Sequence, residues 1–195
     1  CMNFSRALSW ALLAGAATAT LLATGCASAP PVAEKMVVPP MGTVTTFHRK
    51  SSGSLGNFDG QVVWTYAQAT FQGKQVIAFS APQVGVSMLD PYNLGMVANL
   101  NATGQPINSF DPALAYPWPL EVGKTATQKV TVTMYPSGAK APMTVDFKIE
   151  SWEEVTVPAG TFKAYRVSSI NNFGEVETRW LNPMAGLATI KRHVE

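Results

Sequence analysis

The chain has 195 residues, carries a net charge of +2 and is only 13% charged, about half of the roughly 25% that is usual in soluble domains. A chain of this length has room for one domain. Because the charge is nearly balanced and includes no basic run, attraction to a phosphate backbone is weak, and no nucleic acid partner is expected.

The chain begins with a segment that has the layout of a secretory signal. One basic residue, Arg6, precedes an apolar stretch at Ala7–Leu22, and small residues follow. At sixteen residues, the stretch is shorter than the about 20 residues that a membrane-spanning helix needs. This pattern predicts export, with residues 1–25 removed as a signal peptide.

The end of the leader reads LATGC at residues 22–26, which resembles the lipobox of bacterial lipoproteins. The resemblance implies cleavage before Cys26, a diacylglyceryl thioether on its sulfur and an acylated α-amine. Two or more acyl chains anchor a protein stably in a bilayer. Ala27 stands where many enteric lipoproteins carry the Asp that retains them in the inner membrane. The resemblance therefore favours the outer membrane of the cell envelope, facing the periplasm.

Two alternatives remain open for this leader: an ordinary cleaved signal in which Cys26 is incidental, and an uncleaved anchor. The following residues, ASAPPVAEKMVVPP, are small and rich in proline, a composition typical of an extended tether. We therefore predict a lipidated cysteine and a flexible tether over residues 26–40, followed by one domain over residues 41–195. No disulfide is expected, because Cys26 is the only cysteine after Cys1.

From Met41 onward, Gly, Pro and Asn recur about every 8–12 residues, which is typical of β sandwiches and barrels. The sequence predicts an all-β fold, a single antiparallel domain that forms a closed or half-open barrel, with a curved sheet or a sandwich as the alternative. The predicted strands are Thr43–Lys50, Gln61–Phe71, Lys74–Ser80, Gly85–Leu89, Met96–Asn101, Thr125–Tyr135, Met143–Val157, Phe162–Ile170, Glu175–Leu181 and Leu187–Val194.

The segment Met143–Val157 has the clearest strand pattern. Apolar residues fall on one parity and charged residues on the other, which gives a strand one buried face and one solvated face. Trp152 interrupts the polar parity, so a bulge near Ser151–Glu153 is predicted.

Turn chemistry indicates how the strands connect. The sequence VPAG at residues 157–160 favours a type I turn, so the strands on either side should form a hairpin. This hairpin belongs to a predicted meander of five strands from Thr125 to the C-terminus. In contrast, Asp90–Leu120 is rich in turn formers and predicts long loops, with one short helical turn around Asp111–Leu114.

Three motifs in the second half of the chain resemble a pattern in uncharacterised exported β-domain proteins of bacteria. They read YPWPLEVGK at 116–124, EVTVPAGTFKA at 154–164, and WLNPMAG at 180–186 with Lys191. The resemblance implies a β-rich envelope domain and supplies no catalytic residues. The motifs also have a structural interpretation, because glycines and prolines in turns need no chemistry to explain them.

The chain offers little for metal or nucleophilic chemistry. Its only histidines are His48 and His193, whereas a structural zinc site needs four nitrogen or sulfur ligands. Asp90 and Asp111 each precede a proline, which is typical of turns rather than of calcium loops. No G-x-S-x-G or phosphate-binding motif occurs. We therefore predict no metal, no cofactor and no catalytic set.

Paired carboxylates are the remaining argument for an enzyme. Glu153 and Glu154 are adjacent and so lie on opposite faces of a strand. Glu175 and Glu177 share a face, and Arg179 follows two residues later. This spacing favours a solvated ladder of ion pairs over a catalytic pair.

These observations together predict a non-catalytic binding module for an apolar small molecule or an envelope protein, anchored to a membrane by its lipid. The inward-facing residues of a small barrel can enclose one ligand. The predicted ligand-facing residues are Val145, Phe147, Ile149, Trp118, Trp152 and Trp180. A structural or assembly protein that acts through its outer surface is the alternative, and a hydrolase that uses His48 or His193 is less favoured.

Overall fold

The computed structural model describes residues 29–53 and 56–195. In these residues, the segments in which apolar and polar side chains alternate form one antiparallel sheet of eleven strands. Each strand pairs with the next one along the chain. The strands are β1 (Val44–Ser51), β2 (Phe58–Phe71), β3 (Lys74–Ala81), β4 (Gly85–Leu89), β5 (Met96–Leu100), β6 (Pro106–Leu114), β7 (Thr125–Met134), β8 (Lys140–Val157), β9 (Gly160–Asn171), β10 (Val176–Asn182) and β11 (Leu187–Val194).

The predicted all-β, antiparallel fold is confirmed. Every predicted strand occurs, with ends displaced by at most three residues, and β7 to β11 form the predicted meander. Within the described ranges, β1 and β11 are each paired on one side only. The sheet is therefore open, and the closed form of the predicted barrel is not adopted.

The long strand β8 contains the predicted bulge, one residue before its expected place. Ile149 pairs with Val167 and Ser151 pairs with Arg166, so Glu150 is the extra residue. The bulge inverts the parity of the strand, which brings Trp152 to the same face as Ile149. The interruption of the polar pattern thus has a direct structural cause.

The prediction of long loops and a helical turn between Asp90 and Leu120 is wrong for its second half, which forms strand β6. Four residues of β6 stand opposite one of β5, because Met96 pairs with Leu114 whereas Ala98 pairs with Ser109. This wide bulge contains Pro112, whose missing N–H is not needed there. The prolines that argued against a strand are therefore compatible with one.

Residues 29–53 and 56–195 include no helix long and apolar enough to cross a bilayer.

One face of the sheet is continuous from its last strands to its first. Residues that pair directly lie on the same face, and the register connects Leu181 through Ile149 and Phe110 to Phe79 and Tyr66. We call this the inner face. It carries the largest apolar cluster, whose fully buried members include Leu120, Ile149, Tyr165 and Leu181.

The prediction of a flexible tether does not hold for the residues next to the domain. Residues 31–40, here called the N-terminal strap, pack against the sheet. Ala33 exchanges two backbone hydrogen bonds with Leu120, at 3.0 and 2.8 Å, and the N–H of Val37 donates to Pro183 at 3.0 Å. Ala33 and Met36 are only 2% and 4% exposed. The proline-rich composition that indicated a spacer instead provides an extended backbone that fits against the inner face.

The strap also joins two parts of the apolar interior. Ala33 belongs to the large cluster around Ile149, whereas Val38 packs against a second cluster, formed by Tyr66, Ile77 and Leu89. Because these clusters involve opposite ends of the sheet, the strap covers apolar surface that an open sheet would otherwise expose to water.

The buried side of the strap can be tested with two neighbouring residues. We expect Met36→Ala to lower the free energy of unfolding by about 2–5 kcal/mol, because it leaves a cavity at a buried position. Val37→Ala is the matched control, since Val37 is 49% exposed, and we expect a change within about 0.5 kcal/mol. Urea denaturation measures both. Equal and negligible effects would mean that the strap is free in solution.

Candidate functional site

Three charged side chains lie on the inner face of β10 and β11. Alternation along β10 places Glu177 and Arg179 on the same face as Leu181, and the register pairs Arg179 with Arg192. Oε2 of Glu177 accepts hydrogen bonds from Nε and Nη2 of Arg192, at 2.8 and 2.5 Å. Oε1 of Glu177 lies 2.8 Å from Nε of Arg179. Both carboxylate oxygens are therefore engaged by guanidinium groups.

One tyrosine completes this centre. Cζ of Arg179 lies 6.0 Å from the centroid of the Tyr116 ring, a distance at which a cation is attracted to the ring face. We call Tyr116, Glu177, Arg179 and Arg192 the Arg179 cluster.

The protonation states of the cluster follow from its burial and its pairing. Burial raises the pKa of Tyr116 to about 12, so its hydroxyl stays protonated at neutral pH. Burial alone would raise the pKa of Glu177, but Arg179 and Arg192 outweigh it and hold that pKa below its usual value. Although burial opposes its charge, Tyr116 and Glu177 raise the pKa of Arg179. The centre carries one negative and two positive charges.

The cluster is partly open to solvent. The side chain of Glu177 is 16% exposed, that of Arg179 is 24% exposed and that of Arg192 is 49% exposed. Exposure therefore increases from the carboxylate towards Arg192. Of the three charged side chains, that of Arg192 is the most accessible to solvent.

Five of the six predicted ligand-facing residues lie together in the inner-face core. Val145, Phe147 and Ile149 are 4%, 7% and 0% exposed, and Trp118 and Trp152 pack against them. Trp152 is tilted against Tyr165, and Phe147 meets Tyr116 edge-on. These side chains contact one another, so they act as core residues in this conformation. The indole N–H of Trp118 is buried without a hydrogen-bond partner in the described residues.

Trp180, the sixth residue, lies on the opposite face of the sheet. Its ring is flanked by two cations, with Cζ of Arg166 at 5.6 Å and Nζ of Lys191 at 4.8 Å from the centroid. Its indole N–H donates to Glu153 at 2.8 Å, and Glu153 also accepts from the hydroxyl of Ser151. Hydrogen bonds from Ser151 and Trp180 lower the pKa of Glu153. This arrangement holds Trp180 flat against the outer face.

Both histidines lie beside carboxylates at exposed positions. Nε2 of His48 is 2.8 Å from Asp59 and that of His193 is 2.9 Å from Glu195. In each pair, both side chains are more than half exposed. A hydrolase needs a nucleophile within hydrogen-bond reach of such a base, and no serine hydrogen-bonds to either ring among the described residues. The pairs have the character of surface ion pairs.

Two depressions mark the surface. The larger, about 710 Å³, is open and lies over β7 to β10, where its lining includes Thr127, Asp146 and Lys148. The smaller, about 250 Å³, brings Asp90 and Asp111 together. Asp90 accepts the N–H groups of the two residues that follow Pro91, as a turn-opening aspartate does. In the described ranges, no three His, Cys, Asp or Glu residues are grouped to hold a metal ion.

The sequence predicts the pairing of Glu177 with Arg179, but as a solvated pair. The parity of β10 carried the missing signal, because Arg179 shares its face with Leu181, so that an arginine stands where the pattern calls for an apolar residue. Tyr116 offered no such signal, since tyrosine is common at buried strand and loop positions. Its position over Arg179 depends on how the segment before β7 packs against the sheet.

The buried carboxylate can be tested by mutation and by pH. We expect Glu177→Gln to lower the free energy of unfolding by about 3 kcal/mol or more, because it leaves Arg179 without its counterion. The folded-state pKa of Glu177 is depressed, so its contribution is full above the unfolded-state pKa and is lost as pH falls through the folded-state value. The wild type should therefore lose more stability than Glu177→Gln between pH 7 and pH 3, measured by thermal unfolding.

Glu154→Gln is the matched control, because Glu154 pairs with Lys163 at 3.5 Å and its side chain is 64% exposed. We expect this exposed pair to change stability by less than about 0.5 kcal/mol. An equally large loss of stability in both variants would show that the buried pair stabilises the fold no more than the exposed pair does.

The leader, the lipobox and Cys26 lie outside the described residues, so lipidation stays a prediction. Comparison of the chain with protein-family models, with curated proteins and with solved structures finds no match. The two resemblances noted in the sequence likewise stay predictions.

Proposed function

We propose that this protein is a lipoprotein of the cell envelope, anchored through Cys26, whose β domain is a non-catalytic binding module. Its proposed location is the outer membrane, facing the periplasm. The observation that carries the binding role is the Arg179 cluster, a charged and aromatic centre on the inner face that remains partly open to solvent. Such convergent polar groups in apolar surroundings are typical of ligand sites.

The packed strap makes the proposed anchor short. Because the hydroxyl of Tyr165 donates to the carbonyl of Pro31, the first attachment of the strap lies five residues after Cys26. An extended chain spans at most about 3.6 Å per residue, so the segment from Cys26 to Pro31 spans at most about 18 Å. The domain would sit close to the bilayer surface, with the strap end of the sheet towards the lipid.

The strap also shifts the proposed binding place away from the apolar interior. The apolar residues predicted to contact a ligand are packed against one another, and the strap lies over the same face. An apolar ligand would therefore have to displace packed side chains or the strap. The side chains of Arg179 and Arg192 keep 24% and 49% of their surface in solvent, so they are the proposed centre of recognition.

A specific observation favours the alternative of an assembly protein. In the described residues, β1 is paired on one side only, and its hairpin with β2 exposes Val44 and Val63 at 60% and 46%. A free strand edge can pair with an extended segment of another protein. On this alternative, the hairpin rather than the Arg179 cluster would make the contact.

The anchor is tested by fractionating cells that express the full chain. We expect the wild type in the membrane fraction and Cys26→Ser outside it, because stable anchoring requires the acyl chains. Mass spectrometry of the mature N-terminal peptide should show a diacylglyceryl group on Cys26. Cys1→Ser is the control and should behave as the wild type. An unmodified cysteine in a cleaved protein would contradict the lipoprotein proposal.

The binding role is tested by native mass spectrometry of protein purified from membranes. We expect a small molecule to remain bound at a defined ratio, because a site with convergent donors retains its ligand when gently desolvated. The same experiment after unfolding and refolding should show the free mass alone. Identical masses before and after refolding, with no bound species, would favour the assembly alternative.

A further inference from the structure

The charges of the Arg179 cluster do not balance within the described part of the chain. Both oxygens of Glu177 are engaged, Oε2 by Arg192 and Oε1 by Arg179. The carboxylate neutralises one of the two guanidinium groups, and one positive charge is left over, shared by Arg179 at 24% exposure and Arg192 at 49%. A partly buried charge is costly to hold without a partner, so the cluster has an affinity for a further negative charge.

Arg179 also has unused hydrogen-bond donors. Its Nε is taken up by the ion pair with Glu177 at 2.8 Å, but its terminal nitrogens donate to no acceptor in the described residues. A guanidinium carries five N–H donors in a planar fork that matches the two oxygens of a carboxylate or phosphate. The ring of Tyr116 lies on one side of the group, which restricts its orientation.

The neighbouring hydroxyl of Tyr116 adds a neutral donor. The Tyr116 ring lies 6.0 Å from Cζ of Arg179, and its hydroxyl is engaged by no other described residue. A protonated phenol donates to an oxyanion more readily than to a neutral group. Arg192, half exposed, lies at the solvent side of the cluster and can draw an anion towards it.

We propose that the Arg179 cluster binds an oxyanion, the carboxylate or phosphate group of a ligand, with Arg179 as the principal contact and Arg192 and Tyr116 as supporting donors. This inference rests on the proposed binding role and names the chemistry of its ligand. The aromatic rings of Trp118 and Phe147 lie beside Tyr116, with ring centroids 6.4 and 5.8 Å away. Both rings belong to the packed core, so the anion site borders the apolar interior.

The test uses four probes with the full chain in detergent: hexanoate, hexyl phosphate, hexanol and inorganic phosphate. Isothermal titration calorimetry measures their affinities, and the melting temperature provides a second readout because a ligand that binds the folded state stabilises it. We expect hexanoate or the phosphates to bind and to raise the melting temperature, and hexanol to do neither. If inorganic phosphate binds without a hexyl chain, the ligand is a free oxyanion. If binding requires the hexyl chain, the ligand is an acidic amphiphile.

The variants locate the site. We expect Arg179→Gln to weaken anion binding about ten- to hundredfold, the range for loss of charge-assisted hydrogen bonds. Arg166→Gln is the matched control, because Arg166 also lies over an aromatic ring, that of Trp180, but on the outer face. It should bind as the wild type does. Unchanged affinity in Arg179→Gln would overturn the inference.

A second variant covers the case in which Arg179→Gln does not fold. Tyr116→Phe keeps the ring that lies 6.0 Å from Cζ of Arg179 and removes only the hydroxyl. We expect a two- to tenfold weaker affinity, about the range for one neutral hydrogen bond. Absence of anion binding in the folded wild type would overturn the oxyanion site. Equal binding of hexanol and hexanoate would also overturn it while leaving the broader binding role intact.

Discussion

The packing of the N-terminal strap against the inner face is the interaction on which the rest of the structure depends. An open sheet of eleven strands buries one face only if something covers it, and here residues 31–40 lie across that face. Ala33 pairs with Leu120 in the large core cluster, and Val38 reaches the second cluster around Tyr66. The strap is therefore part of the core, although the sequence presents it as a linker. It also shortens the distance between the domain and any anchor at Cys26.

The same face that is covered for stability carries the most polar centre of the interior. Arg179 stands at a position where alternation demands an apolar side chain, and its charge is held by Glu177 and by the ring of Tyr116. An apolar replacement of the whole ion network would often be as stable, so packing alone gives no reason for these charges. Their partial exposure and unused donors fit recognition of an anion better than they fit a purely structural role.

Local pattern predicted most of the strands because the alternation of side chains and the chemistry of turns act over a few residues. Trp152 interrupts the alternation of polar and apolar residues, and this interruption predicted a bulge near Ser151–Glu153. The bulge occurs at Glu150, one residue earlier. Strand β6 shows the limit. Its prolines removed the usual strand signal, and the wide bulge that accommodates Pro112 depends on the register of the neighbouring strand, which lies beyond any local window.

By itself, the sequence determined the all-β class, the order of nearly all the strands, the meander from Thr125 onward and the ion pair between Glu177 and Arg179. The open sheet, the packing of the proline-rich strap on the inner face and the position of Arg179 over the Tyr116 ring emerge only in the folded chain. The physical reason is the separation along the chain between the residues that interact. Alternation and turns depend on neighbours along the chain, whereas these contacts depend on how far successive strand twists carry one end of the sheet towards the other, which no short segment encodes.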